Sequence, residues 1–562
     1  MNGKKKTVLV GLDAACWEYL EPLLQDGRMP RLQQLINAGT SGTMHSTMPP
    51  WTPTAWASLV TGKNPGKHGI FDMTWHRPNT YQFTPTNARI RAGTPFWQRL
   101  NDCGLSVGLV NVPFTYPIES LNGFVVAGFG TPESATELTY PKEVLSWIQE
   151  KSGNYEPVVN AEFLQTASPA EILAKEIAHQ RQQVQIAIEL AGRYQVDVLI
   201  INLLLPDHAN HKMPHMEQIQ EAYCQSDADL ADLLEAFRPD NVMLLSDHGS
   251  SRLKGDFLLN AWLRDQGYYM ELENNPDERS AALNWLLMQW LQRQRGWSGW
   301  GEKIFRRLVR ESLFRMPRWL QGKFWQRMDN VFPFAREHVF LSNLPDYSRT
   351  RVFPGSAYAG LLYLNVAGRE STGVVPPETS KELAAEIAAK LLDIREPETG
   401  QSLFANIYTS EELYSGPAAA NAPDLILDSY GKEWNIRSSK YALSTCPAQN
   451  RYFVAADNGR DFGWHSRDGI FVFSGPDFAL GQATCAGHLV DVPATLLHLY
   501  DVPVPEDYDG RVLTELMSPE SRERPIRSQP GDTVSPEMVG EAYTDEEAAE
   551  VVSHLRALGY VD

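Results

Sequence analysis

The sequence predicts an α/β fold: a mostly parallel central sheet with helices on both faces. Two observations carry this. Short runs rich in Val, Ile and Leu recur along the chain, and amphipathic stretches of helical period separate many of them. Such alternation calls for parallel strands covered on both faces, with ligands at the carboxyl ends of the strands. A third observation bears on function: acids and histidines follow directly on several of these runs.

Val8–Leu12 is the first predicted strand and ends on Asp13. Met29–Ala38 then has helical period. In Met48–Ile70, Thr52 precedes Pro53 and a helical run, Thr54–Thr61. Proline favours the first helical position, which makes Thr52 a natural N-cap. Leu105–Val112 and Phe124–Gly128 are further strands, and Pro169–Ala191 is an amphipathic helix. Val198–Leu205 is a strand followed by Pro206, Asp207, His208 and His211. After the Glu217–Phe237 helix, Val242–Leu245 runs into Asp247 and His248. Leu425–Leu427 and Ile470–Phe473 are the last strands, with His465 just ahead of the second.

One stretch breaks the pattern. Asn284–Asn330 carries Trp285, Trp290, Trp297, Trp300, Trp319 and Trp325 among many arginines, inside an otherwise acidic protein. It reads as an inserted helical cap that packs its tryptophans on the main body, or as a surface for an anionic partner, a membrane or an anionic substrate tail. The expected organisation is a catalytic α/β domain over residues 1–250 and 362–516, the basic Trp-rich cap over 251–361, and a linker with a closing helix over 517–562. Thr544 and Glu547 have the spacing of a capping box for that helix.

Composition excludes several classes. The 562 residues are 43% hydrophobic and 21% charged, which rules out a disordered or fibrous chain. Lys plus Arg is 50 and Asp plus Glu is 69, a net charge of −19, which argues against a nucleic-acid polymer as partner. A small phosphorylated substrate is still compatible, because a bound cation can supply positive charge locally. The five cysteines are widely spaced without a CxxC pair, and read as reduced thiols. MNGKKK followed by the short run Thr7–Leu12 does not suit a signal peptide, and no run of about 18 apolar residues appears. The expected location is the cytoplasm.

Asp13, Asp207, His208, His211, Asp247, His248 and His465 form an oxygen- and nitrogen-rich set near strand ends, as a Zn²⁺ or Mn²⁺ site requires, and six remain without His208. A strand-end aspartate alone is often only a helix cap, and a lone histidine is usually structural; the case rests on their convergence. His68 and His488 are read as structural, and Asp507–Gly510 as a tight turn. Thr52 has two open readings. It is only a cap, or it is a hydroxyl nucleophile beside a phosphate held at a helix N-terminus.

The ordered blocks VGLDAA, WTPTAWASLVTGKNPGKHGI, LLPDHANH, LLSDHGSS and GWHSRDGIFVFSGP resemble those of the type I phosphodiesterase/nucleotide pyrophosphatase family of the alkaline phosphatase superfamily. They frame the chain from Val8 to about Arg511 and leave the cap uncovered. The resemblance implies an alkaline-phosphatase-like fold and a hydrolase with two divalent metal ions, usually zinc. It implies that Asp13, Thr52, Asp247 and His248 surround one metal and that Asp207, His211 and His465 hold the other. The family's aspartate-to-histidine spacing of four selects His211 over His208. Thr52 is implied as nucleophile, attacking phosphorus in line to give a phosphothreonine that water then releases. The expected reaction is cleavage of a phosphodiester or phosphoanhydride in a nucleotide or related small molecule. A phosphomonoesterase or phosphotransferase of the same superfamily is the alternative, and a pseudoenzyme binding a partner through the cap is the non-enzyme one. One position departs from the implied pattern: Ala55 stands where an asparagine would bind a phosphoryl oxygen.

Overall fold

The computed structural model describes residues 5–271, 345–355, 358, 360–438, 452–455, 463–483, 485–532 and 543–561. The tryptophans and arginines of Asn284–Asn330, expected to form a helical cap, lie outside them.

The apolar runs build one large sheet. Its strands lie in the order Gly481–Gln482, Gly39–His45, Asp468–Ser474, Asn241–Leu245, Thr7–Leu12, Val198–Leu203, Val107–Val110, Gly123–Val126, Thr139–Tyr140; Gly487–His488 also pairs with Gly39–His45. The central strands are parallel: Thr7–Leu12 pairs with Val198–Leu203 and with Asn241–Leu245, and Val107–Val110 pairs with Val198–Leu203. Alternate residues enter two cores. Val8, Val10, Leu199, Ile201, Val242 and Leu244 join one core, which includes residues of helices Pro30–Asn37, Pro169–Tyr194 and Met216–Phe237. Leu9, Val198, Ile200, Met243 and Leu245 join the other, with residues of Thr52–Thr61, Phe96–Asp102 and Asp491–Leu499. Both faces are therefore covered, which is why these strands read as continuous apolar runs.

Register sets the site. Gly11 is level with Asn202 and with Leu245, so three neighbouring parallel strands finish together. Asp468–Ser474 runs antiparallel to Asn241–Leu245, with Phe471 level with Leu245. Its start therefore lies at the edge where the parallel strands end.

Leu425–Asp428 is a buried strand but not part of this sheet. It lies in a four-stranded antiparallel sheet with Val352–Pro354, Leu361–Leu364 and Asn406–Thr409. An all-apolar strand shows burial on both faces and is silent about the direction of its neighbours. Gly255–Leu258 pairs with Trp434–Arg437 and Phe453–Ala455 in a three-stranded sheet. These pairings join residues on both sides of position 361 around a third apolar cluster.

Two peripheral pieces brace the body. The Thr52–Thr61 helix ends at Gly62, whose φ of 67° suits glycine, and a Cβ there would lie 2.4 Å from the Tyr508 ring. The buried Lys63 that follows is held by Asp507 at 2.5 Å and Asp532 at 3.0 Å. The tight turn expected over Asp507–Gly510 lies earlier, at Pro505–Tyr508, where Tyr508 N–H donates to Pro505 O at 3.2 Å; the Asp509 N–H that follows donates to Gly62 O at 2.8 Å and pins the end of this helix. At the other extreme, Thr544 and Glu547 form the expected capping box and start the closing helix, Asp545–Leu558.

Gly11 shows how closely the helices approach the sheet. A Cβ there would lie 2.3 Å from Asn202 Oδ1 and 2.7 Å from the Trp56 ring. Gly11→Ala is expected to lower stability by about 1–3 kcal/mol, the usual cost of overpacking a closed core. A urea midpoint equal to that of the parent would show that the strand and helix can separate freely.

Candidate metal centre and nucleophile

Each candidate residue is placed by a different local rule. Asp13 directly follows the first strand, and its N–H still donates to Leu203 O, 3.1 Å. Its Oδ2 accepts from Asn202 Nδ2 at 2.7 Å. Asp247 and His248 follow Asn241–Leu245. Asp207 does not end a strand; it lies in the first turn of a short helix, Leu205–Lys212. Residues four apart share a helix face, and His211 Nε2 accordingly reaches Asp207 Oδ1, 3.5 Å away. His208 turns elsewhere and pairs with Glu176 at 3.0 Å.

His465 arrives from the antiparallel side. Gly463–Ser466 pairs with Gly249–Arg252, which sets His465 level with Ser250. Its Nδ1 lies 2.8 Å from Pro50 O, a group that only accepts, so the ring proton belongs on Nδ1. The lone pair of Nε2 then faces His211 Nε2 at 3.1 Å and Asp207 Oδ1 at 3.7 Å. His248 follows the same logic: Nδ1 lies 3.2 Å from Gly249 O, while Nε2 lies 3.5 Å from Asp247 Oδ2 and 3.6 Å from Asp13 Oδ1. The His248 and His465 rings stack with centroids 3.8 Å apart.

Thr52 is not an N-cap. Trp51 occupies the cap position with extended backbone, and Thr52 is the first helical residue. The Thr52 hydroxyl is left to face His248 Nε2 at 3.3 Å. Ala55 packs into the apolar core on the helix side of the sheet. His68 is structural: Nε2 bonds Ser58 Oγ at 2.8 Å, and burial lowers its pKa to about 3. His488, the other histidine read as structural, lies with its ring centroid 5.1 Å from that of His45.

The donor set fits two cations. Ligand atoms of Asp13, Asp247 and His248 lie within 4.8 Å of one another, and so do those of Asp207, His248 and His465. Asp13 Oδ1, Asp207 Oδ1 and both Asp247 carboxylate oxygens are buried without a hydrogen-bond partner among the described residues. Unpaired buried carboxylates are costly, and a divalent ion compensates them. Burial, with Asp247 and Asp207 close by, pushes the Asp13 carboxyl well above the ordinary carboxylate range. Burial pushes Asp247 up to about 7. Burial and the neighbouring His248 hold His465 well below its ordinary value, in the neutral form that ligates a metal.

Sequence reasoning missed two groups that hold these carboxylates. Asn202 had a local signal, a polar residue inside the apolar run Val198–Leu205. Tyr560 had none: it lies beyond the closing helix, and its hydroxyl donates to Asp207 Oδ2.

The mostly parallel central sheet with helices packed on both faces is an alkaline-phosphatase-like fold. The chain belongs to the type I phosphodiesterase/nucleotide pyrophosphatase family, whose model matches residues 7–466. Among solved structures, phosphonoacetate hydrolase from Sinorhizobium meliloti in complex with phosphonoformate is similar at 14% identity, covering 87% of this chain and 94% of that one, with a TM-score of 0.52. The same enzyme with phosphonoacetate gives 14% identity, the same coverages and a TM-score of 0.51. Murine ectonucleotide pyrophosphatase/phosphodiesterase 5, an inactive form in complex with AMP, is 12% identical over 92% of this chain and 100% of that one, with a TM-score of 0.48. The likeness to the hydrolase bears on the fold. Among curated proteins none matches the sequence significantly.

Uncompensated acidity has a measurable sign. Saturating a cation site at about 100 times its Kd is expected to raise stability by about 2.7 kcal/mol. Asp247→Asn is expected to make the metal-stripped protein more stable, by removing a buried charge, and to weaken the gain on adding Zn²⁺ or Mn²⁺. Thermal melts with and without the ion check both. A stripped variant less stable than the stripped parent would contradict the charge argument.

Proposed function

We propose that this protein is a bimetallic hydrolase that cleaves a phosphodiester or phosphoanhydride bond of a nucleotide or related phosphorylated small molecule through a phosphothreonine formed at Thr52. The observation that carries this reading is the Thr52 hydroxyl: at a helix N-terminus, and 3.3 Å from Nε2 of His248, a histidine that lies close to Asp13 and Asp247. Asp13, Asp247 and His248 would hold one ion beside Thr52, and Asp207, His211 and His465 the other. When bound, zinc or manganese supplies positive charge to the phosphoryl oxygens and acidifies the attacking hydroxyl.

The chain's own residues set the geometry. Thr52 Oγ1 bonds to phosphorus as the bond to the leaving oxygen breaks; water then cleaves the phosphothreonine and restores the hydroxyl. The start of the Thr52–Thr61 helix adds N–H groups and the positive end of its dipole near the phosphoryl group. Asn202 holds Asp13 through its 2.7 Å bond, and Pro50 O fixes the tautomer of His465. Among the described residues no helix is long and apolar enough to cross a membrane.

Two predictions test the reading. Chelation is expected to abolish hydrolysis of bis-p-nitrophenyl phosphate and p-nitrophenyl thymidine monophosphate, with Zn²⁺ or Mn²⁺ restoring it. Full turnover in verified metal-free protein would sink the reading. Thr52→Ala is expected to cost roughly 10³-fold or more in kcat with metal content retained, the scale on which a covalent nucleophile is missed. Thr52→Ser, which keeps a hydroxyl, is expected to keep substantial activity. Near-parental turnover by the alanine variant would make water the nucleophile. Running p-nitrophenyl phosphate alongside separates diester from monoester preference.

A further inference from the structure

The closing helix ends inside the candidate centre. Asp545–Leu558 stops at Gly559, whose φ of 97° suits glycine and turns the chain sharply. The N–H of Tyr560 then donates to Leu555 O at 2.9 Å, and that of Gly559 to Leu555 O at 3.0 Å. This turn drives the Tyr560 ring among buried aromatics: its centroid lies 4.8 Å from that of His211, 6.1 Å from His465, 6.2 Å from Trp51 and 5.8 Å from Phe129. Its hydroxyl donates to Asp207 Oδ2.

The two oxygens of Asp207 are thereby given different tasks. Oδ1 faces His211 Nε2 and His465 Nε2 and has no hydrogen-bond partner. Oδ2 is held by the phenol. A carboxylate torsion is broad and nearly two-fold, so an untethered Asp207 would rotate and exchange its oxygens. A hydrogen bond to one oxygen stops that rotation and aims the other.

We infer that Tyr560 is a positioning residue of the metal centre: by holding Asp207 Oδ2 it presents Oδ1 alone to the cation shared with His211 and His465, so the closing helix completes the hydrolytic site. This rests on the bimetallic reading above. Outer partners of metal ligands typically govern affinity by about 10–100-fold. The helix itself is docked by other contacts. Tyr116 donates to Glu547 at 3.1 Å, Ser134 N–H to Glu550 at 2.9 Å and Tyr543 to Gly130 O at 2.8 Å. Loss of the Tyr560 hydroxyl therefore leaves the helix anchored.

The test uses the full chain and zinc alone, with affinity read by chelator competition and folding by thermal melting. Tyr560→Phe keeps the ring and removes the hydroxyl. It is expected to weaken one of two zinc sites by about 10–100-fold, leave the other unchanged, and lower kcat more than it raises KM. Tyr543→Phe, which removes a docking hydroxyl away from the ligands, is expected to lower the melting temperature without changing either zinc affinity. Equal zinc affinities in Tyr560→Phe and the parent would overturn the inference. So would a rise in kcat/KM at unchanged affinity, which would make the phenol a plug. A parent protein that binds no zinc or manganese at all would instead overturn the bimetallic reading itself.

Discussion

Buried acidity at the shared end of three neighbouring strands is the constraint on which this molecule depends. Asp13 and Asp247 follow two of those strands, and Asp207 lies in the helical turn after the third. The register that levels Gly11 with Asn202 and Leu245 makes their meeting unavoidable. Carboxylates crowded away from water need protons, donors or cations. Among the described residues donors are few: Asn202 serves Asp13 and Tyr560 serves Asp207, while neither oxygen of Asp247 has one. What remains is a set of inward-facing lone pairs whose cost falls when positive charge arrives. Stability of the strand ends and affinity for cations are thus two readings of one free energy.

Strand direction supplies the other half of the centre. A sheet that was parallel throughout would collect residues that follow strands. Because Asp468–Ser474 runs against Asn241–Leu245, a residue that precedes it, His465, reaches the same edge. Its ring then stacks on His248, which belongs to both ligand sets. Thr52 enters from a helix on one face of the sheet, and the Asp207–His211 pair enters on a helix of its own. Parallel strands, an antiparallel strand and two helices thus each bring part of one site.

Elements far along the chain hold these inputs still. The Lys63 ion pairs with Asp507 and Asp532 fix the end of the Thr52–Thr61 helix, and the packing of Tyr508 over Gly62 explains a glycine there. Ion pairs buried around a lysine specify geometry more than they add stability. The closing helix has a similar part at Asp207, where its capping box, Gly559 turn and Tyr560 form one continuous device.

By itself the sequence determined the α/β class, the strand runs near the core of the sheet, the capping box at Thr544 and the acids and histidines that gather near strand ends, among them Asp13, Asp207, Asp247, His248 and His465. Those features are local: period, punctuation and residue type at strand ends are written within a few positions of each other. Only the tertiary structure decided that Thr52 starts its helix instead of capping it, that Leu425–Asp428 pairs in a separate antiparallel sheet, and that Asn202 and Tyr560 hold the aspartates. Each of these depends on a partner distant along the chain. The Tyr560–Asp207 contact spans 353 positions, and no local pattern encodes which of many apolar or aromatic groups will meet once the sheet has closed.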